Sequence, residues 1–204
     1  MLGPVEARRT DHQLEVGHAK QRAVLAVLVL ELNQVVPVER LIDRVWGDDP
    51  PASVRNVLYG YVAKLKSALA CAGEPGAALV RRSGGYVLQA SEDTVDLCRF
   101  RRLVDDAGLA DDEHAASLLR DALGLWHGEA LAGLASPWLD AMRQTLEVQR
   151  VAAQLDLNDI ALRQGQHQTL LSELAEQATT HPADERLTGQ LMLALYRCGR
   201  QAEA

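Results

Sequence analysis

Four stretches between Ala19 and Gln89 decide the fold of the first half of this chain. They are AKQRAVLAVLVLELN (19–33), VERLIDRVWG (38–47), SVRNVLYGYVAKLKSALA (53–70) and LVRRSGGYVLQ (79–89). The first three carry apolar residues at helical spacing, and the fourth has two short apolar runs around a Gly-Gly pair, which is a signal for a tight hairpin. The stretches therefore predict three helices followed by a β-hairpin, the order of elements in a winged helix-turn-helix.

The third of these helices is predicted to bury one face and to expose the other. Val54, Leu58, Val62, Leu65 and Leu69 form its apolar stripe. The rest of the helix carries hydrogen-bond donors and small side chains, which suit the major groove of B-DNA because Asn can pair with adenine and Lys can reach guanine or phosphate. The predicted DNA contacts on this helix are Arg55, Asn56, Tyr59, Tyr61, Ala63, Lys64 and Lys66.

Further DNA contacts are predicted outside the third helix. Arg81, Arg82 and Gly84 lie at the tip of the hairpin, where arginines suit contact with phosphates or the minor groove. Lys20 and Arg22 lie at the start of the first helix. The alternative is a small helical subdomain with a solvated basic face, and the complete order of elements together with the hairpin favours DNA binding.

Five runs of residues together resemble one family of bacterial regulators. They are AKQRAVLAVLVLELNQVV, ERLIDRVWGDDPP, RNVLYGYVAKLKSAL, RRSGGYVLQ and VDLCRF. In this combination the chain resembles the actinomycete antibiotic regulatory protein (SARP) family of transcription activators, over nearly its whole length. The resemblance implies an OmpR-type winged helix followed by a helical bacterial transcriptional activator domain, and an N-terminal sheet whose first strand we expect to be short or absent.

The resemblance also implies a function and its partners. We expect a sequence-specific activator of a secondary-metabolite gene cluster that binds double-stranded DNA at a direct repeat, head to tail with a second copy of itself. We expect the loop after the second helix to contact the sigma subunit of RNA polymerase holoenzyme through Trp46, Asp48, Asp49 and Pro50. The alternative is a protein-interaction module, in which helical repeats bind a partner and the winged helix only docks.

Composition and charge predict two domains. The 204 residues exceed a typical single domain, 48% of them are hydrophobic, and the run SEDT (91–94) interrupts the apolar pattern. We therefore expect a winged-helix domain over 1–92 and a helical domain over 93–204. The first 90 residues hold 11 Lys and Arg against 9 Asp and Glu, and the remainder holds 10 against 19, which gives the net charge of −7. The acidic half is expected to face away from DNA.

The second half reads as helical nearly throughout. Helices are predicted over 113–125, 137–164, 168–179 and 183–198, with Asp96 capping an earlier helix and another helix beginning at Gln201. Two helices are expected to end at Gly165 and Gly199, and their 34-residue offset is the tetratricopeptide period, although Gly also commonly follows unrelated helices. The predicted fold is thus mainly α with a small β component, a winged helix-turn-helix followed by an all-α, TPR-like repeat domain.

A repeat that stopped at Gln201 would be incomplete, because each repeat buries its apolar face against its neighbour. The sequence therefore predicts a helical domain truncated at its C-terminus, with Leu187, Leu191 and Leu195 exposed on the last helix.

The sequence offers little for catalysis, metals or membranes. Its six histidines are scattered, and neither a nucleophile elbow nor a phosphate loop occurs, so we expect no enzyme, no cofactor and no metal. Cys71, Cys98 and Cys198 are an odd number without zinc spacing, which suits a reducing cytoplasm. The longest apolar run, Ala23 to Leu30, is too short to cross a bilayer. We expect a cytoplasmic, nucleoid-associated protein. Its three tryptophans are expected in packing roles rather than stacking on a ligand, with Trp46 as a partial exception because it lies at the edge of the loop expected to meet polymerase.

Overall fold

The structure is a computed structural model, and it describes residues 1–9, 12–70 and 76–203. The chain packs as two compact units. Met1–Phe100 and Leu125–Glu147 form the first unit, and Arg101–Gly124 and Val148–Ala204 form the second. This division by packing differs from the domain boundary at residue 92, because a segment far beyond that boundary joins the first unit.

The first unit contains the predicted helices and hairpin in the predicted order. Its N-terminal part consists of β1 (Ala7–Arg9), β2 (His12–Leu14), α1 (Ala19–Leu30), β3 (Val36–Pro37), α2 (Val38–Trp46), α3 (Val54–Ala70), β4 (Ala78–Arg82) and β5 (Gly85–Gln89). Strands β1 and β2 pair antiparallel over only three residues each, as expected for a shortened N-terminal sheet. The prediction of a winged helix-turn-helix is confirmed.

The helices of this unit pack around α1. Every residue of α1 from Ala23 to Leu28 is buried, which makes it the central helix and not a one-sided surface helix. Helix α2 buries Leu41 and Val45 against it. Helix α3 buries Leu58, Val62, Leu65 and Leu69 of the predicted stripe, while Val54 at its start is half-buried.

The two glycines of the hairpin have different roles. Strands β3, β5 and β4 form an antiparallel sheet in that order, with Pro37 opposite Gly85. Gly84 turns the chain with φ +77°, a backbone conformation that L side chains rarely adopt. At Gly85, by contrast, a Cβ would lie 2.2 Å from the Val36 carbonyl oxygen. Only glycine therefore allows β3 to approach the hairpin this closely.

The remaining helices lie close to their predicted bounds. They are a 3-10 helix (Glu92–Thr94), α4 (Asp96–Ala107), α5 (Asp112–Gly124), α6 (Pro137–Arg163), α7 (His167–Thr180) and α8 (Glu185–Arg197). Residues 201–203, where another helix was predicted to begin, form a turn. Cys98 and Cys198 are half-buried, and Cys71 lies outside the described residues. None of the described helices is long and apolar enough to cross a membrane.

The second unit is built on an apolar core between the C-terminal part of α6 and helices α7 and α8. Its fully packed members are Leu155, Leu162, Leu170, Leu174, Leu187 and Ala194. Leu187 is 1% and Leu195 7% exposed, and Leu191 is half-buried, so the predicted exposed stripe is wrong. These leucines belong to the inward face of α8, and its exposed apolar side chains are instead Met192, Leu193 and Tyr196.

The 34-residue repeat is visible in how α6 and α8 end. Gly165 and Gly199 have φ +80° and +77°, and both follow the last turn of their helix. The amide after each glycine bonds back to the carbonyl five residues earlier, at 2.9 Å in both cases. This is the pattern of a Schellman cap. The shared geometry supports a repeat of one helical unit.

A buried polar cluster lies beside this core. The fully buried Asn158 donates through Nδ2 to Gln177 Oε1 (2.9 Å) and Gln190 Oε1 (3.2 Å). Gln190 in turn donates through Nε2 to the Leu155 carbonyl (2.8 Å) and to Asp159 Oδ1 (2.6 Å). Because buried amides that lack partners are costly, this satisfied network favours one register of the three helices.

An ion pair joins the end of α6 to the start of α5 in the same unit. Arg163 donates to both carboxylate oxygens of Asp112, at 2.7 and 2.9 Å. The hydrogen bond between these two side chains lowers the pKa of Asp112 and raises the pKa of Arg163 relative to their ordinary values. The pair is largely exposed, so it orients the helix ends more than it stabilises the unit.

Candidate nucleic-acid interface

The exposed face of α3 is the surface that best fits a nucleic acid. Asn56, Gly60, Ala63 and Ser67 follow one another at intervals of three or four residues, so they lie along one side of the helix. All four are exposed, and this side lies opposite the buried leucines. The centre of the face is thus small and polar, and the helix backbone is accessible along it.

Gly60 is a feature of this face that the sequence analysis missed. It lies in the middle of a 17-residue helix, where glycine is destabilising relative to alanine by roughly 0.5–1 kcal/mol. Packing does not require it, because a Cβ at this position would meet no atom within 4 Å. Gly60 could have been found as a helix-interior glycine, but only the structure shows that no neighbouring side chain accounts for it.

Cationic and aromatic side chains flank this small centre. By helical spacing, Tyr59 and Lys66 are exposed on one flank, and Lys64 is exposed on the other. Arg55 is exposed as well, but its guanidinium pairs with Glu39 of α2. The structure therefore brings six of the seven predicted α3 residues to the surface, one of them already engaged by a carboxylate.

The tip of the hairpin presents two further cations. Arg81 and Arg82 end β4, are both exposed, and pair in register with Tyr86 and Gly85 of β5. Gly84 is exposed beside them in the turn. Because α3 packs against β4, the hairpin lies next to the helix and forms the wing.

Tyr61 is the exception among the predicted α3 contacts. It is half-buried, and its ring stacks on that of Trp46 with the centroids 6.2 Å apart and the planes at 11°. The imidazole of His18 meets it edge-on at 4.9 Å. Tyr61 therefore packs between α1 and the end of α2, and this geometry favours a structural role over a contact with DNA.

The two predicted contacts on α1 are also placed differently from the α3 face. Lys20 is half-buried, and its ammonium donates to the carbonyl of Val45 at 2.8 Å and to that of Ala135 at 3.3 Å. Arg22 is half-buried in the same turn. Two of the three ammonium donors are engaged in this way, which favours a structural role for Lys20 over a contact with phosphate.

The loop between α2 and α3 projects the residues predicted to contact polymerase. Gly47 begins it with φ +59°, which reverses the chain after α2. Asp48, Asp49 and Pro50 are all exposed, whereas Trp46 is half-buried against Tyr61. The loop thus presents two carboxylates and a proline, with the indole anchoring its first end.

Two family models match this chain. One, described as "Bacterial transcriptional activator domain", matches residues 95–204, and another, described as "Transcriptional regulatory protein, C terminal", matches residues 14–88. The chain belongs to the SARP family of transcriptional regulators. These matches confirm both parts of the resemblance, the OmpR-type winged helix and the helical bacterial transcriptional activator domain.

Several regulators are similar to this chain over its whole length. Regulatory protein AfsR of Streptomyces coelicolor is 41% identical over 100% of this chain, which spans 20% of that relative. Regulatory protein DnrI of Streptomyces peucetius is 32% identical over 100% of this chain and 79% of its own length. The chain therefore spans about a fifth of the AfsR relatives that it matches and most of DnrI.

A solved structure shares the fold. It is that of Mycobacterium tuberculosis EmbR in complex with a low-affinity phosphopeptide, with a TM-score of 0.91 and 30% sequence identity. The match covers 99% of this chain and 55% of that one. The fold of a winged helix-turn-helix followed by a helical activator domain is therefore shared with a known regulator.

Proposed function

We propose that this chain is a sequence-specific DNA-binding transcription activator of a secondary-metabolite gene cluster, acting in the cytoplasm at the nucleoid. The observation that carries the proposal is the small, polar and exposed face of α3 beside a wing that ends in two arginines. The net negative charge does not oppose it, because binding depends on the charges at the contact. A footprint on promoter DNA tests the proposal, and its absence would favour a protein-interaction module.

One observation favours such a module as a second activity of the helical unit. Met192, Leu193 and Tyr196 are 48%, 38% and 63% exposed on α8, which is unusual for three neighbouring large apolar side chains. This surface belongs to the second unit, whereas the α3 face belongs to the first. We therefore assign DNA recognition to α3 and the wing.

Two substitutions separate base reading from phosphate binding. Lys64→Ala should weaken specific binding by about 1–3 kcal/mol if the ammonium contacts a base. Arg82→Ala should lower the affinity for all sequences and reduce the salt slope by about 1, because it removes one phosphate contact. Titrations of both variants with operator and random duplexes at several salt concentrations measure this. Negligible losses for both variants would contradict the assignment.

Two substitutions of Gly60 separate the stability of the helix from its binding to DNA. Gly60→Ala should raise the free energy of unfolding by about 0.5–1 kcal/mol, whereas Gly60→Leu should lower operator affinity because its side chain would hold the helix backbone away from the groove. Gly189→Ala is the matched control, since Gly189 also lies inside a helix with no atom within 4 Å of a Cβ. Chemical denaturation and operator titration measure the two effects, and an unchanged affinity for Gly60→Leu would exclude close approach.

Two copies are proposed to bind a direct repeat head to tail. Monomers side by side on one face of DNA require half-sites about one helical turn apart. Inserting five base pairs between the half-sites should abolish cooperative binding while leaving each half-site occupied at higher protein concentration. Cooperativity that survives the insertion, measured by gel shift, would argue for independent monomers.

The loop after α2 is proposed to contact the sigma subunit of RNA polymerase holoenzyme. Asp48 and Asp49 present negative charge, which would steer the loop towards a basic, DNA-binding region of sigma. Pro50 and Pro51 stiffen the loop, so that less conformational freedom is lost on docking. Trp46 at its base would hold the loop in place through its stack on Tyr61.

Replacing both carboxylates tests this contact. Asp48→Ala combined with Asp49→Ala should reduce transcription in vitro several-fold without reducing operator binding, because these side chains point to polymerase and not to DNA. Glu113→Ala combined with Glu176→Ala, which removes two exposed carboxylates of α5 and α7, is the control for the change in net charge. A parallel fall in transcription and operator binding would instead show that the loop is structural.

A further inference from the structure

The C-terminal end of α2 leads directly into the loop proposed for polymerase contact. The last four carbonyl groups of a helix have no partner within the helix. In α2, the Asp43 carbonyl accepts a hydrogen bond of 2.7 Å from the Gly47 amide, as part of the helix end itself. The carbonyls of Arg44 and Val45 are satisfied differently, by side chains of two other elements.

Ser136 satisfies the first of these carbonyls. Its Oγ donates to the Arg44 carbonyl at 2.6 Å, and the same oxygen accepts from the Leu139 amide at 3.2 Å. Ser136 directly precedes Pro137, the first residue of α6, and is thus the N-cap of that helix. One buried hydroxyl therefore caps the end of α2 and the start of α6 at the same time.

Lys20 satisfies the second carbonyl. Its ammonium donates to the Val45 carbonyl at 2.8 Å and to the Ala135 carbonyl at 3.3 Å. A positive charge is favourable at a helix C-terminus, where the helix dipole is negative. Lys20 thereby joins α1, the end of α2 and the residue before Ser136.

Side-chain packing reinforces this junction. The guanidinium of Arg44 lies 4.2 Å from the ring centroid of Trp138 and forms an ion pair of 2.6 Å with Glu31. A Cβ at Gly47 would lie 3.2 Å from Cδ of Pro137, so the first turn of α6 closely covers the start of the loop. These contacts therefore fix the position at which the loop leaves α2.

The segment before α6 is itself held in place by Arg143. This guanidinium donates to the carbonyls of Ala130 (3.1 Å) and Leu134 (2.7 Å) and pairs with Asp140 at 2.6 Å. Leu134 is buried. Ser136 is thus presented to α2 by an ordered segment.

We propose that Ser136 and Lys20 are positioning residues for the loop of residues 47–53. The segment Leu125–Glu147, which supplies Ser136, consequently helps to position the turn of the helix-turn-helix. The segment lies within the match to the activator-domain family, yet it caps a helix of the DNA-binding fold. The effect on transcription rests on the proposed polymerase contact of that loop. The positioning itself is a property of the protein without DNA or polymerase.

Amide hydrogen exchange in the intact chain tests the positioning. The amides of Gly47 and Asp49 report on the loop, since they bond to the carbonyls of Asp43 and Trp46. Ser136→Ala and Lys20→Met should each accelerate their exchange roughly two- to ten-fold, the range expected for losing one hydrogen bond. Lys20→Arg, which retains the charge and the donors, should restore slow exchange.

Asp184→Ala is the control for the lost helix cap. Asp184 caps α8, where its carboxylate accepts from the Leu187 amide at 2.9 Å, and it belongs to the second compact unit, whereas α2 belongs to the first. Its replacement should lower thermal stability and leave the exchange of the Gly47 and Asp49 amides unchanged. Equal acceleration in this control would overturn the inference, because the effect would then be general loosening.

Transcription in vitro at saturating operator occupancy is the second readout. Ser136→Ala should lower it, and the Ser136→Thr variant, which keeps the hydroxyl, should recover most of it. Unchanged exchange in both Ser136→Ala and Lys20→Met would overturn the positioning role whatever transcription does. Accelerated exchange with normal transcription would support the positioning role and count against the polymerase contact, so the two failures are distinguishable.

Discussion

Backbone carbonyls at the end of a helix are costly when they lack partners, and the end of α2 satisfies two of them with Ser136 and Lys20. The turn between the two helices of the winged helix therefore depends on a residue about ninety positions later in the chain. These contacts, together with the backbone hydrogen bonds from His127 and Leu131 to the carbonyls of Leu2 and Met1, join Leu125–Glu147 to the first compact unit. Residues 95–204 match the activator-domain family, yet Ser136 within this range caps the helix that precedes the turn.

The second unit depends on a different combination of forces. Its leucines bury apolar surface among α6, α7 and α8, and the Asn158 network selects one register among many that apolar packing alone would allow. The repeated glycine caps at Gly165 and Gly199 end both helices in the same way.

Local sequence patterns predicted the helices and strands, whereas the contacts that were not predicted join residues distant in the sequence. The helices α1 to α3 and the wing follow from apolar spacing and from Gly84 and Gly85, which are signals within a few residues. The contacts of Lys20 and Tyr61 could not be predicted from the sequence, because the Ala135 carbonyl and the Trp46 ring that engage them are distant in sequence. Leu187 and Leu195 were misassigned for a similar reason, since helical spacing identifies an apolar face but not the helix that covers it.

The dependence of the helix-turn-helix on the later segment is tested most directly by native-state hydrogen exchange at increasing denaturant. We predict that the buried amides of α2 and those of Leu131 and Leu134 exchange through one common opening, with one free energy and one denaturant dependence. The amides of α7 and α8 should open separately. If residues 131 and 134 instead open together with α7 and α8, while α2 stays protected, the segment belongs energetically to the helical unit and the account is contradicted.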